Sequence, residues 1–218
     1  MDSSDLIMLL EPFGPCDVSD ALLKLGLDDG YLTTPNLVPS ASSSNAVKVI
    51  APAYTVQVVA ASNEAAPKYA GNYVDTCPHG AVLVVSVPEG ARNGIFGGLL
   101  ATRASVLGAQ GIVTNGRVRD VAELRELDFP TFAGGTSIQS ATGRTRVASV
   151  QESITIDGTT VHSGDMIVGD ANGVVVVPRG SVAAVAEMAA RLVAVDEKVA
   201  VDVRGGASLA ESFKRWRP

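Results

Sequence analysis

Ala81-Val82-Leu83-Val84-Val85-Ser86-Val87, the segment Gly98 to Leu107, and then Gly111-Ile112-Val113-Thr114 form the stretch from which the fold is read. The first run is almost wholly apolar and of strand length, the pattern of a strand covered on both faces. Residues 98–107 have helical character, and the run that follows again reads as a strand. Strand, helix and strand in that order predict a β-α-β unit with parallel strands and a right-handed crossover. A second helical segment, Asp120 to Leu127, comes directly after it.

Beyond Pro130, Val147 to Ile156, Thr160 to His162, Asp165 to Val168 and Gly173 to Val177 are β-branched segments. Asp157-Gly158, Ser163-Gly164 and Asn172-Gly173 separate them, and such pairs mark hairpins and turns. A final helix is expected from a Ser181 cap to Gly205-Gly206, with a short helical turn over Leu209 to Trp216. Towards the N-terminus, Asp17 to Leu25 reads as an amphipathic helix capped by Asp17 or Ser19. Tyr31 to Asn45, with two prolines and four serines, reads as loop. Ala46 to Ala60 reads as two short strands meeting at Pro52. With no internal boundary, the expectation is a single α/β domain over residues 1–218.

Composition narrows the function. The chain has 218 residues, 46% of them hydrophobic, enough for one sizeable core. Charged residues make up 18%, against about a quarter in an average domain, so surfaces shared with other subunits are expected. Seventeen basic against 23 acidic side chains give a net charge of −6, with no basic footprint for nucleic acid. Cys16 and Cys77 are too few for a disulfide framework and lack zinc-site spacing. Asp2 and Asp5 stand where a secretory signal has basic residues, and no apolar run is long enough to span a bilayer. A soluble, cytoplasmic protein with no membrane partner is expected.

Two motifs carry chemistry. Gly94-Ile95-Phe96-Gly97-Gly98-Leu99-Leu100 joins a loop to a helix start, where glycines admit close approach and free amides favour an anion. The same glycines also suit a plain tight turn. Gly116-Arg117-Val118-Arg119-Asp120-Val121-Ala122-Glu123 sets Arg119 at a strand's carboxyl end, with Asp120 and Glu123 three apart. Those two carboxylates either share a hydrated cation or form a capping box, with Asp120 as N-cap and Glu123 at N3. Other chemistries find less footing. Lys48 has no partner acid or base for a Schiff base. His79 and His162 fall at turns or strand edges, and Asp165 and Asp170 read as turn formers. Cys16 sits at a helix start, which lowers a thiol pKa, though burial or capping is its commoner use.

Gly98, twenty residues, Arg119-Asp120, two residues and Glu123 resemble the G-x20-R-D-x2-[E/D] signature of the class II 4-hydroxy-4-methyl-2-oxoglutarate/4-carboxy-4-hydroxy-2-oxoadipate aldolases. That family includes proteins named regulator of ribonuclease activity A. The resemblance runs from Asp17-Val18-Ser19-Asp20-Ala21-Leu22 through Val161-His162-Ser163-Gly164-Asp165 to Asp170-Ala171-Asn172-Gly173-Val174-Val175-Val176 and Pro178. It implies a compact α/β/β sandwich like a swivelling phosphohistidine domain, assembled as trimers or hexamers with the site between subunits. It further implies that Asp120 holds a divalent cation, that Arg119 contacts a 2-oxo acid, and that the Leu99 and Leu100 amides at Gly97-Gly98 receive the substrate carboxylate. One branch has Asp at the position of Gly98, and Glu123 is the expected substitute acid. A neighbour's C-terminal helix often adds a glutamate, for which Glu197 is the candidate. Phe132-Ala133-Gly134-Gly135 departs from the family, which more often has Arg near Gly134.

The residue types suit the implied reaction. Cleaving a C–C bond beside a 2-oxo acid leaves an enolate, which a hard cation and an Arg stabilise. Oxygen ligands point to Mg²⁺ or Mn²⁺. The expectation is a metal-dependent lyase that cleaves a 4-hydroxy-2-oxo acid or decarboxylates oxaloacetate. The alternatives are a non-catalytic, protein-binding regulator and a biosynthetic enzyme using the same site on another 2-oxo acid.

Overall fold

The computed structural model describes residues 1–38 and 47–217. Most of the serine-rich end of the expected loop, and Ala46 of the expected strand, lie outside the described residues. In chain order the elements are α1 (Ser3–Leu10), α2 (Pro15–Lys24), β1 (Tyr31–Leu32), β2 (Asn36–Leu37), β3 (Val49–Ala60), β4 (Val82–Ser86) and β5 (Gly94–Phe96). Then come α3 (Gly98–Val106), β6 (Gly111–Val118), α4 (Val121–Glu126), β7 (Thr131–Thr136), β8 (Thr145–Val150), β9 (Ile154–Ile156) and β10 (Thr159–Val161). The chain closes with β11 (Met166–Asp170), β12 (Gly173–Val177), α5 (Val182–Arg204) and α6 (Leu209–Trp216).

The fold is mixed α/β around one large mixed sheet in the order β1-β12-β11-β3-β4-β6-β7-β2, with β5 joined to β6 and β8 to β3. The predicted β-α-β unit forms: β4 and β6 are parallel, Val82 opposite Gly111 and Val84 opposite Val113. Strand β4 is buried along its whole length because successive side chains feed two cores. Leu83 and Val85 join Ala101, Ala104, Ile112 and Leu124 beneath α3 and α4. Val82 and Val84 join Val113, Phe132, Ile167 and the β9–β10 hairpin residues Ile154, Ile156 and Val161 on the other face. A third cluster packs Leu6, Leu10, Val18, Leu22, Val185 and Ala189 of the N- and C-terminal helices onto Met166, Val168, Val175 and Val177. Each fully buried aliphatic side chain contributes about 1.5–3 kcal/mol, so these layers hold the sheet and its loops in place.

Several local expectations change. Ala46 to Ala60 contains one continuous strand, β3, rather than two. It pairs with β11 over Val49 to Pro52 and with β4 from Ala53 onward. The Ala53 amide donates to Asp165 O on the β11 side, so alternation turns the missing N–H of Pro52 to the other side, before pairing with β4 begins. Tyr31–Leu32 and Asn36–Leu37 make short strands inside the expected loop. The run 147–156 breaks into β8 and β9, with Gln151 at φ 60° between them. Helix α2 starts at Pro15 behind Gly14, whose amide donates to Asp17 at 2.9 Å, so neither Asp17 nor Ser19 is the N-cap. Ser181 precedes α5 without a side-chain capping bond, because a 3₁₀ turn, Arg179–Ser181, leads into the helix. No helix among the described residues is long and apolar enough to cross a membrane.

Candidate active site

The site lies where parallel strands β5 and β6 end beside the start of α3, a place where open α/β sheets bind ligands. Gly97 is the N-cap of α3 in extended conformation, and the Ala101 amide bonds to Gly97 O. The preceding amides of the first turn, those of Leu99 and Leu100 included, therefore have no acceptor inside the helix. The Gly98 amide donates to Asp120 Oδ2 at 3.3 Å.

The strand end delivers the charged groups. The Arg119 amide donates to Phe96 O at 2.9 Å, tying the end of β6 to β5. Arg119 Nε lies 3.2 Å from Asp120 Oδ2, and the two side chains are 40% and 31% exposed. Asp120 adopts left-handed backbone angles, φ 56° and ψ 44°. Only a few per cent of non-glycine residues do so, although Asp is among the tolerant types. This turn takes its carboxylate away from α4, where it makes no side-chain capping bond, and sets it against Gly98. The capping-box reading of Asp120 and Glu123 is therefore excluded.

The glycine pair is needed for close approach. A Cβ at residue 97 would stand 2.5 Å from Asp120 Oδ2 and 2.9 Å from Arg119 Cγ. A Cβ at residue 98 would stand 1.6 Å from Glu123 Oε2. Arg119, Asp120 and Glu123 are thus brought together at the α3 start, as their spacing predicted. Asp120 and Glu123 are two acids, and no group of three His, Cys, Asp or Glu side chains placed to hold a metal occurs among the described residues.

Asp120 separates two hollows. One, of about 240 Å³, is lined by Gly94 to Gly97, Leu99, Leu100, Arg119, Asp120, Ser140 and Ala141. The other, of about 640 Å³, is lined by Arg92, Arg117, Asp120, Val121 and Thr136 to Gln139. The loop after β7 closes both, held by Gly94 N donating to Gln139 O at 2.9 Å and Ser137 Oγ donating to Arg92 O at 2.6 Å. Sequence reading missed Arg92, Arg117 and the residues 136–141. Arg117 had a signal, because strand alternation puts it on the same side as Arg119. Arg92 and Ser140 had none, since only the tertiary fold brings their loops here.

The remaining candidates lie elsewhere. Glu197, exposed on α5, lines neither hollow. Exposed Lys48 donates through Nζ to Glu11 O. His162 Nδ1 sits 3.3 Å from Asp165, whose carboxylate also accepts from the Arg179 amide, a turn-holding role. The His79 ring packs against Gly108. Both cysteines are free. Desolvation, then Asp170, Asp17 and Asp20, raise the Cys16 thiol pKa against the lowering expected of a helix start, and Cys16 is exposed rather than buried. The Gly134 departure has a steric reason. A Cβ there would meet Asn115 O at 2.3 Å, and the guanidinium next to this bend, at Gly135, belongs to Arg117.

Several known proteins resemble this chain over most of its length. The chain is 32% identical to "Putative 4-hydroxy-4-methyl-2-oxoglutarate aldolase" of Halalkalibacterium halodurans over 180 residues, 83% of this chain and 80% of that protein. It is 29% identical to Protein DlpA of Legionella pneumophila over 97% of its own length but only 34% of DlpA's, so it spans about a third of that protein. A crystal structure of an uncharacterized protein from Pseudomonas syringae superposes with a TM-score of 0.82 at 28% identity, covering 96% of this chain and 97% of that one. RraAS2 of Streptomyces coelicolor, described as an unusual member of the RNase ES inhibitor RraA protein family, shares the fold. Its TM-score is 0.78 at 24% identity, over 94% of this chain and 98% of that one. The RraA-like family model, Aldolase/RraA, matches residues 15–176, a span that holds the glycine turn, Arg119, Asp120 and Glu123, and the chain belongs to that family.

Proposed function

We propose that the protein is a divalent-metal-dependent carbon–carbon lyase for pyruvate-type 2-oxo acids, cleaving 4-hydroxy-4-methyl-2-oxoglutarate, decarboxylating oxaloacetate, or both. The observation that carries this reading is the backbone at Asp120. The residue forgoes a helix cap worth about 1 kcal/mol. It also holds a sparsely populated conformation that costs about 1–3 kcal/mol, and such strain collects at functional sites. What it gains is a carboxylate set between Arg119 and the first turn of α3. The names of relatives, the Halalkalibacterium protein among them, support the aldolase assignment.

The donor set fits a hard cation. Asp120 and Glu123 offer oxygen only, with no thiolate or imidazole lining the cleft, which suits Mg²⁺ or Mn²⁺. Glu123 reaches from α4 to the space a side chain at 98 would fill, so it stands in for an acid at that position. When bound, the cation supplies positive charge for the oxygen that develops as an enolate. The amides of Leu99 and Leu100 receive the substrate's C1 carboxylate, favoured by the helix dipole. Arg119 faces the C2 oxygen and its guanidinium stabilises that oxygen as negative charge grows. In aldol cleavage the C4 hydroxyl gives its proton to a solvent water and becomes the carbonyl of the departing fragment as the C3–C4 bond breaks. Its electron pair comes to rest on the C2 oxygen, and a proton returned to C3 completes pyruvate. Loss of CO₂ from oxaloacetate passes through the same enolate.

The rim supports a shared site. Leu99 is 87% exposed and Ile138 is 99% exposed beside the two hollows. We take them as contacts within a homotrimer or hexamer, in which a neighbour's acid such as Glu197 completes the site. The test is pyruvate release from oxaloacetate and from 4-hydroxy-4-methyl-2-oxoglutarate, with Mg²⁺ and with EDTA, for wild type, Arg119→Ala and Asp120→Ala. Activity is expected only in wild type with metal. Equal activity in all three proteins would sink the proposal, and an inactive wild type would favour the non-catalytic, protein-binding reading.

A further inference from the structure

The larger hollow beside Asp120 is lined by two arginines, Arg92 and Arg117. Among the described residues, Arg92 and Arg117 have no carboxylate within salt-bridge distance, whereas Arg119 is paired with Asp120. Arg144, Arg146, Arg179 and Arg204 also form no ion pair among the described residues, so what sets Arg92 and Arg117 apart is that both line one hollow next to the candidate site. Arg117 uses one donor, Nη1 to Thr136 O at 3.1 Å, and keeps the rest of its five N–H groups for another acceptor. Its seat is shaped for it. Gly135, at φ 150°, leaves open the space where a Cβ would come within 3.0 Å of Arg117 Nη1. Arg92 has its main chain pinned by Ser137 Oγ at 2.6 Å, and no side-chain hydrogen bond of its own forms among the described residues.

We infer that Arg92 and Arg117 form a subsite for a second carboxylate of the substrate, borne by the fragment that leaves, and that they select 2-oxo acids with an anionic tail over those with an uncharged one. The inference rests on the lyase reading of the neighbouring cleft and adds specificity-determining residues to it. Two forked guanidinium groups match the planar acceptor pattern of a carboxylate. Asp120 borders both hollows, so it lies between this subsite and the α3 start. A substrate with two carboxylates is therefore held at both ends, with the bond to be broken near Asp120. An uncharged tail leaves both guanidinium groups unanswered.

The test measures binding of two non-cleavable probes of equal chain length, 2-oxoglutarate and 2-oxopentanoate, by calorimetry with Mg²⁺ present. Wild type is expected to favour 2-oxoglutarate at least tenfold. Arg92→Gln and Arg117→Gln should each lower that preference about tenfold, the scale of one charge-assisted hydrogen bond, with 2-oxopentanoate binding unchanged. Arg92→Lys should fall between, since it keeps the charge and loses the fork. Equal binding of the two probes by wild type overturns the inference, as does an undiminished preference in both Gln variants. Sedimentation of each variant is a further control. If the preference disappears together with the assembly, the pair belongs to a subunit contact and the inference falls. Turnover separates the two levels. An arginine-dependent preference without any cleavage refutes the lyase reading and leaves the subsite standing. Cleavage with equal kcat/KM for acidic-tailed and neutral-tailed 4-hydroxy-2-oxo acids, in wild type and variants alike, refutes the subsite and leaves the lyase.

Discussion

Replacing Asp120 separates a structural from a chemical role, because stability and activity should rank the variants differently. The left-handed backbone at φ 56° and ψ 44° is tolerated by Asn nearly as well as by Asp. Asp120→Asn keeps an oxygen for the Gly98 amide and loses only the charge facing Arg119. Both partners of that pair are partly exposed, so its loss costs about 0–1 kcal/mol. For a domain of this size that is a fall in Tm of no more than about 4 °C. Asp120→Ala keeps the Cβ but loses the polar side chain that offsets its cost in the left-handed region, together with the Gly98 hydrogen bond, which removes about a further 1–2 kcal/mol and lowers Tm by about another 2–8 °C. Stability should therefore run Asp, Asn, then Ala. Activity should instead group Asn with Ala, both at least about 100-fold below wild type, equivalent to about 2.7 kcal/mol of lost transition-state stabilisation. Thermal melts and a coupled assay of pyruvate release measure the two quantities on the same samples. An Asn variant with activity within threefold of wild type would refute the reasoning, since the carboxylate charge would then have no chemical use.

Three further outcomes follow from the packing. Gly134→Ala drives a Cβ to 2.3 Å from the Asn115 carbonyl oxygen, a backbone atom that cannot swing aside, and should cost about 1–3 kcal/mol; an unchanged denaturant midpoint would contradict this. Tyr73→Phe removes a buried O–H that donates to Ile95 O at 3.0 Å behind the glycine turn. It should cost about 1–3 kcal/mol and raise KM more than it lowers kcat, and a variant with wild-type KM and Tm would refute that positioning role. Burial pushes the Cys77 thiol up to about 11, and it lifts the Tyr73 phenol above its ordinary value as well. A raised folded-state pKa gives stability that is complete below the unfolded value, near 8.5 for a thiol, and is lost as pH climbs towards the folded one. Urea melts should show stability falling from about pH 8.5 to 11, less steeply in Cys77→Ala; identical slopes would exclude the thiol as a cause.

Much of the fold was legible because its signals are local. The run Ala81 to Val87 announced a strand buried on two faces, and β4 does feed two cores with alternate side chains. Asp157-Gly158 announced a hairpin, and both residues take positive φ, 54° and 90°, between β9 and β10. The continuity of β3 was not legible, since Pro52 breaks a strand by every local rule. It survives here because the pairing places its missing N–H where no partner has yet begun. The core of the site was legible too, since Gly97-Gly98 and Arg119, Asp120 and Glu123 sit at spacings that a β-α-β unit brings together. Sequence left the use of the two acids open, because a capping box and a cation site ask for the same residues three apart. Tertiary structure removed the capping box through one pair of dihedral angles at Asp120 and the contact of its carboxylate with Gly98, 22 positions earlier. The meeting of Arg92, Arg117 and Ser137 belongs to the fold alone. Arg117 stands near the end of β6, while Arg92 and Ser137 lie in the loops after β4 and β7, and no periodicity along a chain records how far apart those strands' ends come to lie in a sheet.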